Sequence, residues 1–274
     1  MRSEGISVVT IIKAFCLVIL LAGVPAGCGT MANGRGWGQD ATLAPGWERV
    51  GQAAWNAVAA PQTWGPAAGA LAFRIGHADR NAEEWAVRRN PVFGNPENAS
   101  RMSDSLLEAS GAIWGVSAVS APSGETAADW AVAKAGGLGV QTGAGILTRG
   151  VVGYLKDNAG RPKREGNDES PSGHATGAAL FGTFASRNID TLGWSQDAVA
   201  ASRFGLGAIT AATAWARVEA GFHYPSDVLA GIALGHFVGA FATDAFLGLD
   251  NPRNAVLLLE PSRQGAAAIV RIGF

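Results

Sequence analysis

The sequence predicts an all-α helical bundle that ends in a short β-hairpin. Apolar residue types make up 48% of the 274 residues, and 38 glycines together with many alanines favour closely packed helices. Stretches with helical patterning are separated by Pro, Gly and Asn clusters, which are typical of turns between helices. The net charge of −1 argues against a nucleic-acid partner or a polybasic membrane patch. The length suits one large core, so we expect one main domain.

The first 27 residues predict an export signal. Two basic residues precede an uncharged apolar run over residues 14–24, which is shorter than the roughly 20 residues of a permanent span. Val-Pro-Ala-Gly-Cys28 is similar to the cleavage site of bacterial lipoproteins, although Pro25 stands where an aliphatic residue is usual. The resemblance implies lipidation of Cys28 and a periplasmic protein. Because Gly29 and not Asp follows the cysteine, the resemblance to bacterial lipoproteins favours the outer membrane. An ordinary cleaved signal peptide and an uncleaved anchor are the alternatives.

Cys16 and Cys28 are the two cysteines of the chain, and both lie near the start. A mature chain that begins at a lipidated Cys28 has no thiol left, so we expect neither a disulfide nor a cysteine metal site. Residues 28–45 are rich in Gly, Asn and Thr and predict a tether between membrane and domain.

Helical patterning continues from there to the last quarter of the chain. It predicts helices over residues 47–60, 63–75, 81–89, 103–120, 125–155, 173–186, 197–216 and 225–247, with Asp79 as the cap of the third. The fifth stretch is compatible with one long helix or with two that meet at Gly136-Gly137. The longest uncharged runs have about sixteen residues, which favours a soluble bundle over membrane spans. Residues 255–260 and 267–274 predict two short strands.

Two turns, each opening a helix, contain the histidines of chemical interest. Pro171-Ser172-Gly173-His174 offers Ser172 as a helix cap, and His223 stands just before Pro225, a residue suited to a first helical turn. A helix N-terminus presents unpaired N–H groups and a positive dipole end, which favour an anion. With Arg217 nearby, two such ends would form a phosphate pocket, and the histidines would supply a nucleophile and a proton donor.

These residues resemble the type 2 phosphatidic acid phosphatase superfamily, whose motifs are K-x6-R-P, P-S-G-H and S-R-x5-H-x3-D. The second motif is intact through His174. The third is intact at Arg217, His223 and Asp227, with Ala216 in place of the usual Ser.

The first motif departs from the family pattern. Lys156 is followed six residues on by Lys163-Arg164, whereas Arg161-Pro162 lies two residues earlier. Either Lys163 or Arg161 therefore fills the role of the second cation, and Lys lacks the bidentate fork of Arg.

The resemblance implies a helical phosphatase domain over residues 46–250, followed by an extension over 251–274. It implies that His223 attacks phosphorus and forms a phosphohistidine, while Asp227 accepts a hydrogen bond from the other ring nitrogen. His174 would protonate the leaving oxygen and later activate water.

The resemblance also assigns the phosphate-binding groups. These are Lys156, Lys163 or Arg161, Arg217, the Ser172 hydroxyl and the Gly173 N–H. Because cationic side chains neutralise the phosphate, no metal and no cofactor are expected. The expected substrates are phosphomonoesters or pyrophosphates, including lipid phosphates such as phosphatidic acid.

Other interpretations stay open at this point. The superfamily also includes vanadate-dependent haloperoxidases, for which vanadate would be the cofactor. A non-catalytic envelope lipoprotein would explain the altered first motif. His223 and Asp227 could form half of a metal site, and Lys156 and Lys163 could be ordinary charges at a helix end.

Overall fold

The fold is known from a computed structural model, which describes residues 28–158 and 170–249 and the backbone of residues 256–262 and 265–271. The predicted export signal lies outside the described residues. The fold is all-α, as predicted, with a two-stranded hairpin near the C-terminus. In chain order the helices are α1 (Trp47–Ala59), α2 (Pro61–Ile75), α3 (Asp79–Arg89), α4 (Pro96–Ser120), α5 (Ala127–Asn158), α6 (Gly173–Ile189), α7 (Gln196–Glu219) and α8 (Pro225–Ala242).

Two further elements follow α8. A π-helical turn, Thr243–Leu247, continues it directly. The strands β1 (Val256–Ser262) and β2 (Gly265–Arg271) then pair antiparallel, with Leu258 opposite Ile269. The predicted hairpin is therefore present.

Helix α4 begins earlier than predicted, at Pro96 and not at Ser103. The side chain of Asn95 accepts a hydrogen bond from the Asn98 N–H at 2.8 Å, and proline occupies the first helical turn. Both residue types favour a helix start. The Asn/Pro-rich stretch before Ser103 is therefore partly a helix cap and not entirely a loop.

Helix α5 runs without a break through Gly136 and Gly137. A Cβ atom at Gly137 would lie 2.2 Å from the Trp37 ring, so a larger residue cannot stand there. These glycines therefore allow a close approach of an aromatic ring to the helix, and they do not divide it.

The segment that contains Trp37 packs on the domain instead of forming the predicted free tether. Gly29 and Gly124 exchange two backbone hydrogen bonds of 2.9 and 2.8 Å. Trp37 is fully buried, and its Nε1 donates to Asn188 Oδ1 at 3.0 Å. Lys134 lies 4.9 Å from the centre of the Trp37 ring, and burial lowers the pKa of this lysine to about 8. One large aromatic side chain thus holds this segment against α5 and α6.

Helices α6 and α8 form the centre of the bundle. Gly231, Gly235 and Gly239, spaced one turn apart on α8, face α6. A Cβ atom at Gly235 would lie 2.2 Å from the Thr176 carbonyl oxygen, and one at Gly239 would lie 2.9 Å from Thr183 Cβ. Since positions further along α8 meet positions further along α6, the two helices are parallel. Their N-termini therefore lie at the same end of the molecule.

One described helical stretch, Pro225–Leu247, is long and apolar enough to cross a membrane, with a mean hydropathy of 1.5. Within the fold, 56% of its most apolar window is buried. Since a core helix passes the same test, this stretch is weak evidence for a membrane span.

Candidate active site

The start of α6 is tied directly to the start of α8. Ser172 caps α6, with its Oγ accepting a hydrogen bond from the Ala175 N–H at 3.4 Å. The Ser172 N–H donates to the Asp227 carbonyl oxygen at 3.1 Å. This backbone bond fixes the turn that contains His174 against the turn that contains His223, so two helix N-termini meet at one place.

The turn that presents His223 is held by main-chain contacts. Gly221, two residues after the end of α7, has a φ of 74°, a backbone conformation that favours glycine. The N–H groups of Phe222 and His223 both donate to the Arg217 carbonyl oxygen, at 3.1 and 3.3 Å. His223 is 1% exposed. The chain thus places this histidine in a fixed position inside the fold.

The side chain of Asp227 caps α8 and lies near His223, the residue to which the family resemblance implied a hydrogen bond. Its Oδ2 accepts a hydrogen bond from the Tyr224 N–H at 3.0 Å, which caps α8. The same Oδ2 lies 4.0 Å from His223 Nδ1, which is too long for a direct hydrogen bond. The carboxylate still lies beside Nδ1, so it favours a proton on that nitrogen and a lone pair on Nε2.

Two buried acidic residues connect the ends of this turn to distant parts of the chain. The sequence analysis gave one of them a different role and did not single out the other. Asp79, predicted as the cap of α3, instead accepts hydrogen bonds from the Ser226 N–H at 2.9 Å and its hydroxyl at 2.6 Å. Glu219, which is fully buried, accepts from the N–H groups of Val92 and Phe93 at 3.0 Å. Both acids fix the ends of the turn from distant parts of the chain.

Arg217 is buried beside the His223 turn. Arg217 is 5% exposed, and its guanidinium carbon lies 4.2 Å from the centre of the Phe222 ring. Its Nη1 donates to the Ser103 hydroxyl of α4 at 3.5 Å. Ring stacking and the hydroxyl contact hold the guanidinium in one orientation.

Helix α5 brings Lys156 towards the same end of the bundle. Val152, one turn before Lys156, lies 3.9 Å from where a Cβ at Gly173 would stand. Residues four apart share a face of a helix, so Lys156 lies on the side of α5 that passes the α6 start. Arg161 and Lys163 lie outside the described residues.

His174 differs from His223 in its surroundings. Its side chain is 29% exposed, and its Nε2 lies 2.8 Å from Oδ1 of Asp104 on α4. No sequence motif pointed to Asp104. Cys28, the predicted lipidation site, is exposed.

Within residues 28–158 and 170–249, no group of three or more His, Cys, Asp and Glu side chains could hold a metal ion.

Two parallel helices thus bring together, at one end of the bundle, the turn capped by Ser172, two histidines and a buried arginine. Helix N-termini and a guanidinium are groups that could bind an anion. The model of the PAP2 superfamily matches residues 144–248, a range that includes all three motifs. This region of the chain is therefore similar to the PAP2 superfamily. Members of that superfamily are typically phosphatases, so the similarity supports, at a coarse level, a phosphoric ester hydrolase with a phosphorylated substrate. Searches of curated proteins and of solved structures gave no match.

Proposed function

We propose that the protein is a metal-independent phosphatase that hydrolyses phosphomonoesters or pyrophosphates through a phosphohistidine on His223. The observation that supports this proposal best is the hydrogen bond from the Ser172 N–H to the Asp227 carbonyl oxygen, 3.1 Å long. It joins the two histidine-bearing turns and their helix N-termini, so one phosphate can be bound between a nucleophile and a proton donor.

In the first step Nε2 of His223 attacks phosphorus. Asp227 lies beside Nδ1, which leaves the Nε2 lone pair as the nucleophile. The new P–N bond forms as the bond from phosphorus to the leaving oxygen breaks, and His174 gives that oxygen a proton. The alcohol, or a second phosphate in the case of a pyrophosphate, then departs.

In the second step a water molecule replaces the departed group. His174, now neutral, accepts a proton from this water while the water oxygen forms a bond to phosphorus. The P–N bond to His223 breaks, inorganic phosphate is released, and both histidines return to their starting protonation states.

The phosphate oxygens are held by the cations and donors at the same end of the bundle. Arg217 and Lys156 supply positive charge, and the Ser172 hydroxyl and the Gly173 N–H donate hydrogen bonds. Lys163 or Arg161 adds a further cation. These contacts strengthen as charge spreads over the three equatorial oxygens in the transition state.

The surface of α5 favours a substrate that is presented by a membrane. The last turns before Lys156 expose an apolar stripe, which consists of Ile146, Leu147, Val151, Tyr154 and Leu155. Leu147 and Ile146 are 71% and 68% exposed. Arg149, three residues after Ile146, lies beside it on the helix surface and complements lipid phosphates in charge. We therefore propose a lipid phosphate such as phosphatidic acid, with the stripe lying on the bilayer.

Membrane attachment through Cys28 fits the same proposal. Cys28 is exposed, and Gly29 next to it is hydrogen-bonded to Gly124. A lipid on this cysteine would hold the domain directly at the membrane surface. The compartment that we propose is the periplasm, with attachment to the outer membrane. Labelled palmitate should be incorporated by the wild type in a bacterial host and not by Cys28→Ser, with membrane fractionation reporting the compartment.

The activity itself is tested by phosphate release from p-nitrophenyl phosphate and from phosphatidic acid in the presence of EDTA. We expect turnover that EDTA does not reduce. Loss of turnover with EDTA, and its recovery with an added divalent metal, would contradict the metal-independent mechanism.

The lipid substrate is tested with a double variant of the stripe, Leu147→Gln with Val151→Gln. We expect turnover of phosphatidic acid in vesicles to fall about tenfold or more, because the variant buries less apolar surface in the bilayer. Turnover of soluble p-nitrophenyl phosphate should stay unchanged. Val132→Gln is the matched control, since Val132 is 74% exposed on the same helix but far from Lys156. An equal effect on both substrates would contradict membrane docking.

A further inference from the structure

Asp104 on α4 contacts a motif residue although it belongs to no motif itself. Its Oδ1 lies 2.8 Å from Nε2 of His174, across 70 positions of sequence. The Asp104 side chain is 56% exposed and that of His174 is 29% exposed. Water and a leaving group can therefore reach this pair, whereas His223 is 1% exposed.

The same turn of α4 makes a second contact with the site. Ser103, the residue before Asp104, is fully buried and accepts a hydrogen bond from Arg217 Nη1 at 3.5 Å. Two consecutive residues of α4 thus contact the proton-donor histidine and the phosphate-binding arginine. These two contacts fix the position of α4 along its axis, and its rotation about that axis, relative to the site. The Asp104 contact is therefore part of a larger packed interface.

We propose that Asp104 is the positioning residue for His174. Its carboxylate accepts a hydrogen bond from the Nε2–H group, which fixes the plane of the ring and stabilises the charged imidazolium. With Nε2 bound in this way, Nδ1 is the nitrogen that delivers a proton to the leaving oxygen. This inference rests on the proposed phosphatase function and adds the orientation of its acid catalyst.

The proton balance follows from that assignment. Before the first step both nitrogens of His174 carry protons, and the proton on Nδ1 passes to the leaving oxygen as its bond to phosphorus breaks. The proton on Nε2 stays in the bond to Asp104 throughout. In the second step Nδ1 takes a proton from the attacking water, which restores the imidazolium. Asp104 itself gains and loses no proton.

The alternative is that Asp104 has a purely structural role. Ion pairs with exposed partners contribute little to stability, and such a contact would have no effect on the chemistry. The positioning role and the structural role predict different dependences on the leaving group. A positioning residue for the acid catalyst matters most when the leaving group needs a proton, whereas a structural defect lowers turnover of all substrates alike.

The test therefore compares leaving groups in Asp104→Asn, which keeps the shape of the side chain but removes its charge. The quantity measured is kcat/KM, because it reports the steps up to departure of the leaving group. For an alkyl phosphate we expect a loss of about tenfold or more. For p-nitrophenyl phosphate, whose phenolate leaves readily without a proton, we expect a change of less than about threefold. Asp104→Ala should give the same split with a larger loss.

Glu108→Gln is the matched control, since Glu108 is exposed one turn further along α4. It should change neither substrate, and thermal melting should show that both variants are folded. A ¹⁵N NMR spectrum of His174 adds a readout that does not depend on turnover. The wild type should show a proton on Nε2 near neutral pH, with a changed ring signal in Asp104→Asn.

The outcomes separate the inference from the function on which it rests. Equal losses on both substrates, or no loss on either, would overturn the role of Asp104 while leaving a phosphatase. A wild-type protein that turns over neither substrate would overturn the proposed function, and with it any role for Asp104 in proton transfer.

Discussion

The turn that contains His174 and the turn that contains His223 hold their histidines in different ways. His223 is buried, and its turn is fixed by main-chain bonds to Arg217 and by the Asp227 carboxylate, which lies in the first turn of α8 and accepts the Tyr224 N–H. His174 is partly exposed and is bonded to a carboxylate from a different helix. The difference matches the two proposed roles. A nucleophile needs one fixed direction of attack, whereas a proton donor must also reach the leaving group and water.

The largest expected effect is the loss of the proposed nucleophile, His223. We predict that His223→Ala lowers kcat/KM about 10⁴-fold or more for every substrate, because the proposed P–N bond forms on this side chain. The measurement is steady-state phosphate release. His77→Asn is the control, because His77 is exposed between α2 and α3 with φ of 51°, a conformation that asparagine tolerates. Substantial activity in His223→Ala would assign the nucleophile elsewhere.

Loss of the proton donor should depend on the substrate. We predict that His174→Ala lowers kcat/KM for an alkyl phosphate by about 10²- to 10⁴-fold, in the range found for general acids. For p-nitrophenyl phosphate the loss should be much smaller, because its leaving group needs no proton. The check is a plot of kcat/KM against leaving-group basicity, which should be steeper in the variant. Parallel plots would argue that the two histidines do not have separate roles.

A smaller effect is expected at the carboxylate beside the nucleophile. Asp227→Asn keeps an oxygen that can accept the Tyr224 N–H, so α8 should remain capped and the melting temperature nearly unchanged. The variant removes the charge that favours a proton on His223 Nδ1. We predict a loss of about 10²-fold in kcat/KM, equal for good and poor leaving groups. An unstable protein with normal activity per folded molecule would assign Asp227 to capping alone.

His236, a histidine on α8, should have no effect on activity. Its Nδ1 lies 2.8 Å from the Thr63 hydroxyl, and burial, with a further contribution from Arg187, lowers its pKa to about 4. Between pH 6.5 and 4 the unfolded chain therefore binds a proton that the folded protein does not.

Acidification through that window should destabilise the wild type by up to about 1.4 kcal/mol per pH unit from this group. We predict a shallower dependence in His236→Gln, with activity at pH 7 within about twofold of the wild type. Denaturant unfolding at pH 5 and pH 7 measures the difference. An unchanged pH dependence would show that the buried histidine does not govern acid stability.

The parts of the fold that the sequence could predict are those fixed by neighbouring residues. Ser172 before Gly173 and Pro225 after His223 mark helix starts through local bonds and fixed backbone angles, and both helices begin where expected. The family motifs lie in these same local stretches. For this reason the motif residues described by the structure could be named before their positions were known.

The parts that the sequence could not predict depend on contacts between distant residues. Asp79 bonds to a residue 147 positions away, and Asp104 to one 70 positions away. A single sequence offers no pattern for such pairs. The packing of residues 28–45 was missed for a similar reason, since their Gly- and Asn-rich composition suggested a tether while one residue, Trp37, fills a gap beside Gly137.

The central claim is that phosphate passes through His223, and a trapped phosphoenzyme tests it most directly. Wild-type protein, mixed with substrate in EDTA and quenched in alkali, should be analysed by peptide mass spectrometry. We predict a phosphorylated peptide with the group on His223, labile in acid and stable in alkali, which forms within the first turnover and is absent in His223→Ala. Turnover by the wild type with phosphate on another residue, or with none trapped and inversion of configuration at phosphorus, would contradict the mechanism.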